Sequence, residues 1–227
     1  MPAELFWIIV AAASAAGIAI LAAMYRRNRA AVQLRRGAIF APAYDLFDSY
    51  RVVQGGVGYP VLEGQYRGRA FHLDVIVDTL TFRKIPVLWL RVSLLAPLPG
   101  MAPLDILARP QNTEFYSPAN DLAHSLRPRA GWPAEAIVRT DDPQHMPDLS
   151  VIDRHMAVFE RPATKELLVT AKGVRLVHML DQARRAEYLV MRQAEFEQAS
   201  VDKALLRELM DRTIALHNDR TGAREPE

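Results

Sequence analysis

The sequence predicts an α+β protein, an N-terminal transmembrane helix followed by a mainly antiparallel sheet domain covered by C-terminal helices. Three observations lead there. A run of 20 residues from Leu5 to Met24 carries no charge and no proline. Segments with the period-2 pattern of strands follow, joined by hairpin-type turns rather than by β-α-β alternation. Near the C-terminus the apolar period lengthens to that of a helix.

The Leu5–Met24 run, at about 1.5 Å per residue, spans about 30 Å, the thickness of a bilayer's hydrocarbon core. Phe6 and Trp7 sit at one end and Tyr25 at the other, where amphipathic rings favour the interface. Arg26, Arg27, Arg29, Arg35 and Arg36 follow, and the only charge before the run is Glu4. The positive-inside rule then places the N-terminus outside and residue 26 onward in the cytoplasm, with the five arginines against anionic headgroups. A cleaved signal peptide is the rival reading, and Ala11, Ala13 and Ala15 could mimic its cleavage site. It wants a positive n-region, which this chain lacks. The helix is expected to run to Arg36 and stop at Gly37.

The chain therefore divides into an anchor with its basic juxtamembrane segment (1–36), a soluble α+β domain (37–217) and a disordered polar tail (218–227). Ala41–Phe47 reads as a short helix with Pro42 in its first turn. The Gly55-Gly56-Val57-Gly58 cluster precedes Tyr59-Pro60 and a strand, so it reads as a turn; a phosphate loop would open a helix. Tyr59–Tyr66 is a strand, Arg67-Gly68 a tight turn, and Arg69–Asp78 an alternating strand with Phe71, Leu73, Val75 and Val77 on one face. Val87–Leu95 reads as a central strand, Asp105–Arg109 as another, and Ala136–Arg139 as an edge strand. Residues 110–133, rich in proline, asparagine and serine, read as irregular. Asp148 or Ser150 caps a helix to about Phe159. Glu166–Thr170 and Val174–His178 form a hairpin turning at Lys172-Gly173. Two helices follow. One runs from about Leu180 to Phe196. The other runs from Val201 to His217, capped by Ser200, with Leu206, Leu209, Met210, Thr213, Ile214 and His217 on one face.

Composition excludes several functions. There is no cysteine among the 227 residues, so disulfides, thiolate metal sites and cysteine nucleophiles are ruled out. Removing the five arginines and Glu4 from the 28 basic and 26 acidic residues leaves the rest of the chain at −2. A nucleic-acid binder carries its basic surface on the folded domain, so no nucleic-acid partner is expected. No glycine-rich fingerprint or nucleophile elbow calls for a cofactor, and none is assigned.

Two groups of side chains could carry chemistry. Asp141, Asp142, His145 and Asp153, with Asp148 and His155 nearby, have the donor types of a divalent-cation site, although the spacing fits neither an EF-hand nor His-Glu-x-x-His. Turns and helix caps explain the same residues more simply. Tyr66, Arg67 and Arg69 at a hairpin tip, with Arg83 and Lys84 nearby in sequence, form a basic-aromatic patch suited to headgroups or an acidic partner.

Tyr59-Pro60 with Gly64-x-Tyr66-x-Gly68-Arg69, Asp78-Thr79-Leu80-x-Phe82-Arg83-Lys84, Leu88-Trp89-Leu90, Gly131-Trp132-Pro133 and Lys165-Glu166-Leu167-Leu168-Val169-Thr170 are spread over most of the chain. In these stretches the soluble part resembles a family of bacterial single-pass membrane proteins built on a domain of unknown function. The resemblance implies no activity and transfers no site residue.

The favoured expectation is a non-catalytic, membrane-tethered interaction or assembly protein of the bacterial inner membrane, with the bilayer and a membrane or envelope protein as partners. The alternatives are a membrane-associated metal-dependent hydrolase using the 141–155 segment, and a lipid or small-ligand sensor.

Overall fold

A computed structural model describes residues 2–79, 85–111, 114–184, 188, 196 and 200–222. Helix α1 runs unbroken over Ala3–Gly37, 35 residues and about 52 Å, with no residue buried. Among the described residues it is the one helix long and apolar enough to cross a membrane. The chain then enters the domain at once: Ile39 and Phe40 are fully buried, and a 3₁₀ helix follows over Ala41–Leu46 with Pro42 in its first turn.

Nine strands form one wholly antiparallel sheet. They are β1 (Ser49–Val53), β2 (Val61–Tyr66), β3 (Arg69–Asp78), β4 (Val87–Leu94), β5 (Leu104–Leu107), β6 (His124–Leu126), β7 (Ile137–Thr140), β8 (Thr164–Thr170) and β9 (Gly173–Gln182). Their order is β1-β2-β3-β4-β9-β8-β5-β7-β6. The first four form a meander. The β8–β9 hairpin inserts between β4 and β5, so the chain leaving β4 crosses the end of that hairpin. Leu98 N–H donates to the Ala171 carbonyl there, at 2.9 Å.

That crossing explains Gly173. Its φ is +141°, and a Cβ at this position would lie 2.0 Å from the Leu94 carbonyl oxygen. Only a residue without a side chain fits. The two residues between the paired Thr170 and Gly173 are Ala171 and Lys172, so the turn lies one position before the Lys172-Gly173 expected from sequence.

Alternation divides the sheet into two faces. One carries Leu73, Leu88, Leu90, Val92, Leu94, Leu104, Ile106, Leu167, Val169, Val174 and Leu176, all buried in one cluster. Helix α2 (Leu149–Asp153) and helix α3 (Lys203–Thr221) belong to this side. Leu206, Leu209, Met210, Thr213, Ile214 and His217 of α3 are all buried, as its periodicity predicts. The second face has a smaller cluster, with Trp89 and Val177 covered by Tyr116.

Several boundaries differ from expectation. Asp202, not Ser200, caps α3 by accepting from Leu205 N–H at 2.7 Å. The helix continues to Thr221 and ends at the left-handed Gly222, taking in part of the expected tail. Ile137–Thr140 lies between β5 and β6, so it is not the edge; the three-residue β6 is. The expected helix to Phe159 is broken at Arg154, and a 3₁₀ turn covers Met156–Glu160. Leu180, expected to open a helix, is still in β9, whose pairing to β4 runs to Gln182. The rest of that expected helix falls almost entirely outside the described residues.

Candidate functional site

The predicted metal ligands do not converge. Asp142 Oδ2 meets His145 Nδ1 at 2.6 Å, but both side chains are exposed. That contact and the Gln144 N–H hold the Asp142 carboxyl below the usual carboxylate range. Asp141 accepts from Ala123 N–H at 3.3 Å. Asp153 accepts from Trp132 Nε1 at 2.6 Å and pairs with Arg129 at 3.0 Å. Asp148 caps α2 through Ser150 N–H, and His155 Nε2 faces Asp219 at 3.1 Å. Among the described residues no three His, Cys, Asp or Glu side chains are grouped to hold a metal ion. Asp142 and Asp148 instead fasten a turn and a cap, and Asp141, Asp153 and His155 tie the segment to residues distant in sequence.

The hairpin-tip residues also point elsewhere. Tyr66 is buried, and its hydroxyl donates to Asp211 Oδ1 at 2.9 Å. Arg67 lies over the Tyr66 ring and pairs with the same carboxylate at 3.2 Å. Arg69 donates to Asn218 Oδ1 at 3.0 Å. Helix α3, which the sequence does not place beside this hairpin, takes up all three. Arg83 and Lys84 lie outside the described residues.

The junction between α1 and the domain is a built feature. Gln54 Nε2 donates to the carbonyls of Gln33 (2.9 Å) and Gly58 (2.8 Å). Arg36 Nη1 donates to the Val57 carbonyl at 2.9 Å, and its guanidinium lies 5.1 Å from the Tyr59 ring centroid. At Gly37 the two parts press close: a Cβ there would come within 2.6 Å of Gln54 Oε1. The glycine-rich turn thus wraps the last turns of α1. Arg26, Arg27, Arg29 and Arg35 remain exposed, whereas Arg36 is turned toward the domain and away from the headgroup role expected for it.

Two further features went unpredicted. A groove of about 690 Å³ is bounded by Arg109, the Gly131–Glu135 turn and the Asp153–Glu160 segment. The second face of the sheet carries a row of ionisable residues across six neighbouring strands: Asp74, Arg91, Arg175, Glu166, Asp105 and Arg139. Arg91 grips Asp74 through Nε (2.9 and 3.1 Å) and Nη2 (2.5 Å). Arg175 holds Glu166 Oε2 at 2.9–3.0 Å and reaches the Tyr116 carbonyl at 3.2 Å. Ser117 donates to Asp105 Oδ2 at 2.6 Å. Close by, Lys165 Nζ meets Glu114 Oε1 at 2.7 Å with both side chains buried. Burial pushes the Asp105 carboxyl up to about 8, with the Glu166 charge adding to the effect. Burial also raises Glu166, against the pull of Arg175. A sequence signal was available for three of them: Arg91, Asp105 and Arg139 are each the single charge in their strand.

Comparison with protein-family models, curated proteins and solved structures finds no match to this chain.

Proposed function

We propose that the protein is a membrane-tethered, non-catalytic interaction or assembly protein, its domain held at the cytoplasmic face of a bacterial inner membrane. The observation that supports this best is the junction. A continuous helix carries an apolar span, then exposed arginines, then a docked terminus where Arg36, Gly37 and Gln54 interlock with the domain. Such a coupling fixes where the domain stands relative to the bilayer, which serves presentation of a surface to a membrane partner. The exposed arginines suit anionic headgroups. The ionisable side chains proposed for chemistry are instead engaged in caps, ion pairs and helix docking.

The edge strand β1 is the surface we assign to the partner. All its residues are exposed or half-exposed, including Tyr50 and Val53, and Tyr50 stacks on Tyr44 at 4.6 Å. An open edge with apolar side chains is suited to strand addition.

Two measurements test the reading. The chain has no cysteine, so single cysteines at Ala3 and Gly222 can be labelled with an impermeant maleimide in spheroplasts. Labelling of Ala3→Cys alone is expected; labelling of Gly222→Cys would overturn the orientation. Cross-linking of the full chain in native membranes from Tyr50 is expected to capture a stoichiometric protein. Recovery of the chain alone, from several β1 positions, would sink the interaction reading.

A further inference from the structure

Asp105 and Glu166 lie on adjacent strands, β5 and β8, and neither has any exposed surface. Asp105 is registered with Leu168 and Leu107 with Glu166, so the two acids are diagonal neighbours on the second face, within reach of side chains of this length. One oxygen of each is satisfied: Asp105 Oδ2 by Ser117, Glu166 Oε2 by Arg175. The other two, Asp105 Oδ1 and Glu166 Oε1, are buried without a hydrogen-bond partner. The Tyr116 hydroxyl and Trp89 Nε1 above the same face are also buried and unpartnered.

Asp105 has no ion-pair partner among the described residues either. Arg91 is taken by Asp74, and Arg175 by Glu166. Arg139 stands opposite Asp105 in register but turns its Nη1 to the Leu122 carbonyl at 3.1 Å, and its Nε is buried without a partner rather than bonded to Asp105. Lys165 faces Glu114, and Glu114, Asp78, Glu166 and Asp105 all bear on Tyr116. Two fully buried carboxylates of which only one is paired with a guanidinium cannot both be charged at low cost. A single proton resolves both deficits. It neutralises one acid and turns two orphan acceptors into one O–H···O bond.

We propose that Asp105 and Glu166 bind one proton between them, carried on Asp105 and donated to Glu166, and that this proton holds segment 114–120 closed over the sheet. That segment bears Ser117, whose hydroxyl touches Asp105, Tyr116, whose carbonyl touches Arg175, and Glu114, paired with Lys165. When the proton leaves to solvent base, the pair becomes two facing carboxylates. The hydroxyl of Ser117 then has to serve an anion repelled by its neighbour, and the segment lifts to admit water.

The test uses the full chain in detergent from about pH 6 to about pH 10, which brackets the Asp105 value. Infrared difference spectra read the protonated carboxyl, and hydrogen exchange, corrected for its intrinsic pH dependence, reads segment 114–120. The expected result is loss of a carboxylic-acid band with a midpoint near 8, with loss of protection in 114–120 over the same range. Asp105→Asn keeps a donor toward Glu166 in place of the proton, so it should abolish the band and keep the segment protected at high pH. Should that variant fail to fold, Ser117→Ala replaces it. Losing the donor to Asp105 should shift the midpoint upward. The proposal is overturned by absence of the band in the wild type at about pH 6. It is equally overturned by a band that persists without change across the range, or by exchange in 114–120 that does not follow the band.

Discussion

Replacing Glu114 by Gln should unsettle the domain far more than the loss of one surface ion pair. Glu114 and Lys165 are about 6% and 5% exposed, and their charged atoms are 2.7 Å apart. Lys165 Nζ also donates to the Arg109 carbonyl at 2.5 Å, and Gln111 N–H donates to Glu114 at 2.7 Å. With an effective dielectric of about 20, charges at this separation attract by roughly 6 kcal/mol. Glu114→Gln preserves shape but removes that attraction from an ammonium held out of water. The expected cost is about 3–5 kcal/mol. Lys165→Met should cost a similar amount, because it removes the same attraction from a buried carboxylate. Glu114→Gln with Lys165→Met should cost much less than the two singles together, since neither charge then remains. The assay is urea unfolding of the full chain in detergent, followed by fluorescence. Trp89 lies 5.8 Å from the Tyr116 ring and so reports on the segment that bears Glu114. Single changes costing under about 1 kcal/mol, as exposed pairs do, would refute the burial argument. So would a double variant whose cost equals the sum of the singles, because the pair would then be uncoupled.

Gly173→Ala should cost at least about 3 kcal/mol or prevent folding, since both its φ and the 2.0 Å approach of the Leu94 carbonyl exclude a Cβ; an unchanged urea midpoint would contradict this. Gln54→Ala combined with Arg36→Ala should leave the domain's unfolding midpoint within about 2 kcal/mol of wild type while increasing exchange at residues 54–58 and protease cleavage near Gly37. His178 is buried beside Thr164 Oγ1, and burial pulls it down to about 4. The unfolded chain then takes up the proton first as pH falls from about 6.5, so stability declines toward pH 4 and levels off below it. His178→Gln should flatten that limb, and an identical pH profile for the variant would show that His178 does not set it.

What the sequence reveals follows from where periodicity is strong. The Arg69–Asp78 alternation and the α3 stripe each point to one inward face, found with Phe71 and Leu73 buried and Val75 and Val77 half-buried in the first and with the whole stripe buried in the second; Val87–Leu95 reads as a central strand, and β4 pairs on both sides. The span of α1 is legible because nothing interrupts it. Long-range neighbours are not written in local pattern. Nothing near Tyr66 or Arg67 signals that Asp211, some 145 residues away, will hold them. Arg36 reads as one more juxtamembrane cation, and only the folded loop gives it Val57 and Tyr59. The Asp141–His155 segment gathers acids and histidines in sequence, but its turns and the short α2 send them outward to separate partners. Half of the second-face ladder was visible as isolated charges within strands, at Arg91, Asp105 and Arg139. Their alignment depends on a strand order in which β9 and β8 lie between β4 and β5, which no local pattern specifies.

The unbroken course of α1 has a mechanical consequence. Beyond Met24 the helix continues for 13 residues, a rod of about 20 Å locked at its far end to the glycine turn. A domain on a slack linker explores a hemisphere above the bilayer and meets partners at any angle. A domain on a rod turns about one axis and sweeps an annulus at nearly constant height. On the proposed membrane tether, encounters would be with partners whose binding surface stands at that height, so the length of the rod would act as a gauge of what the protein can reach.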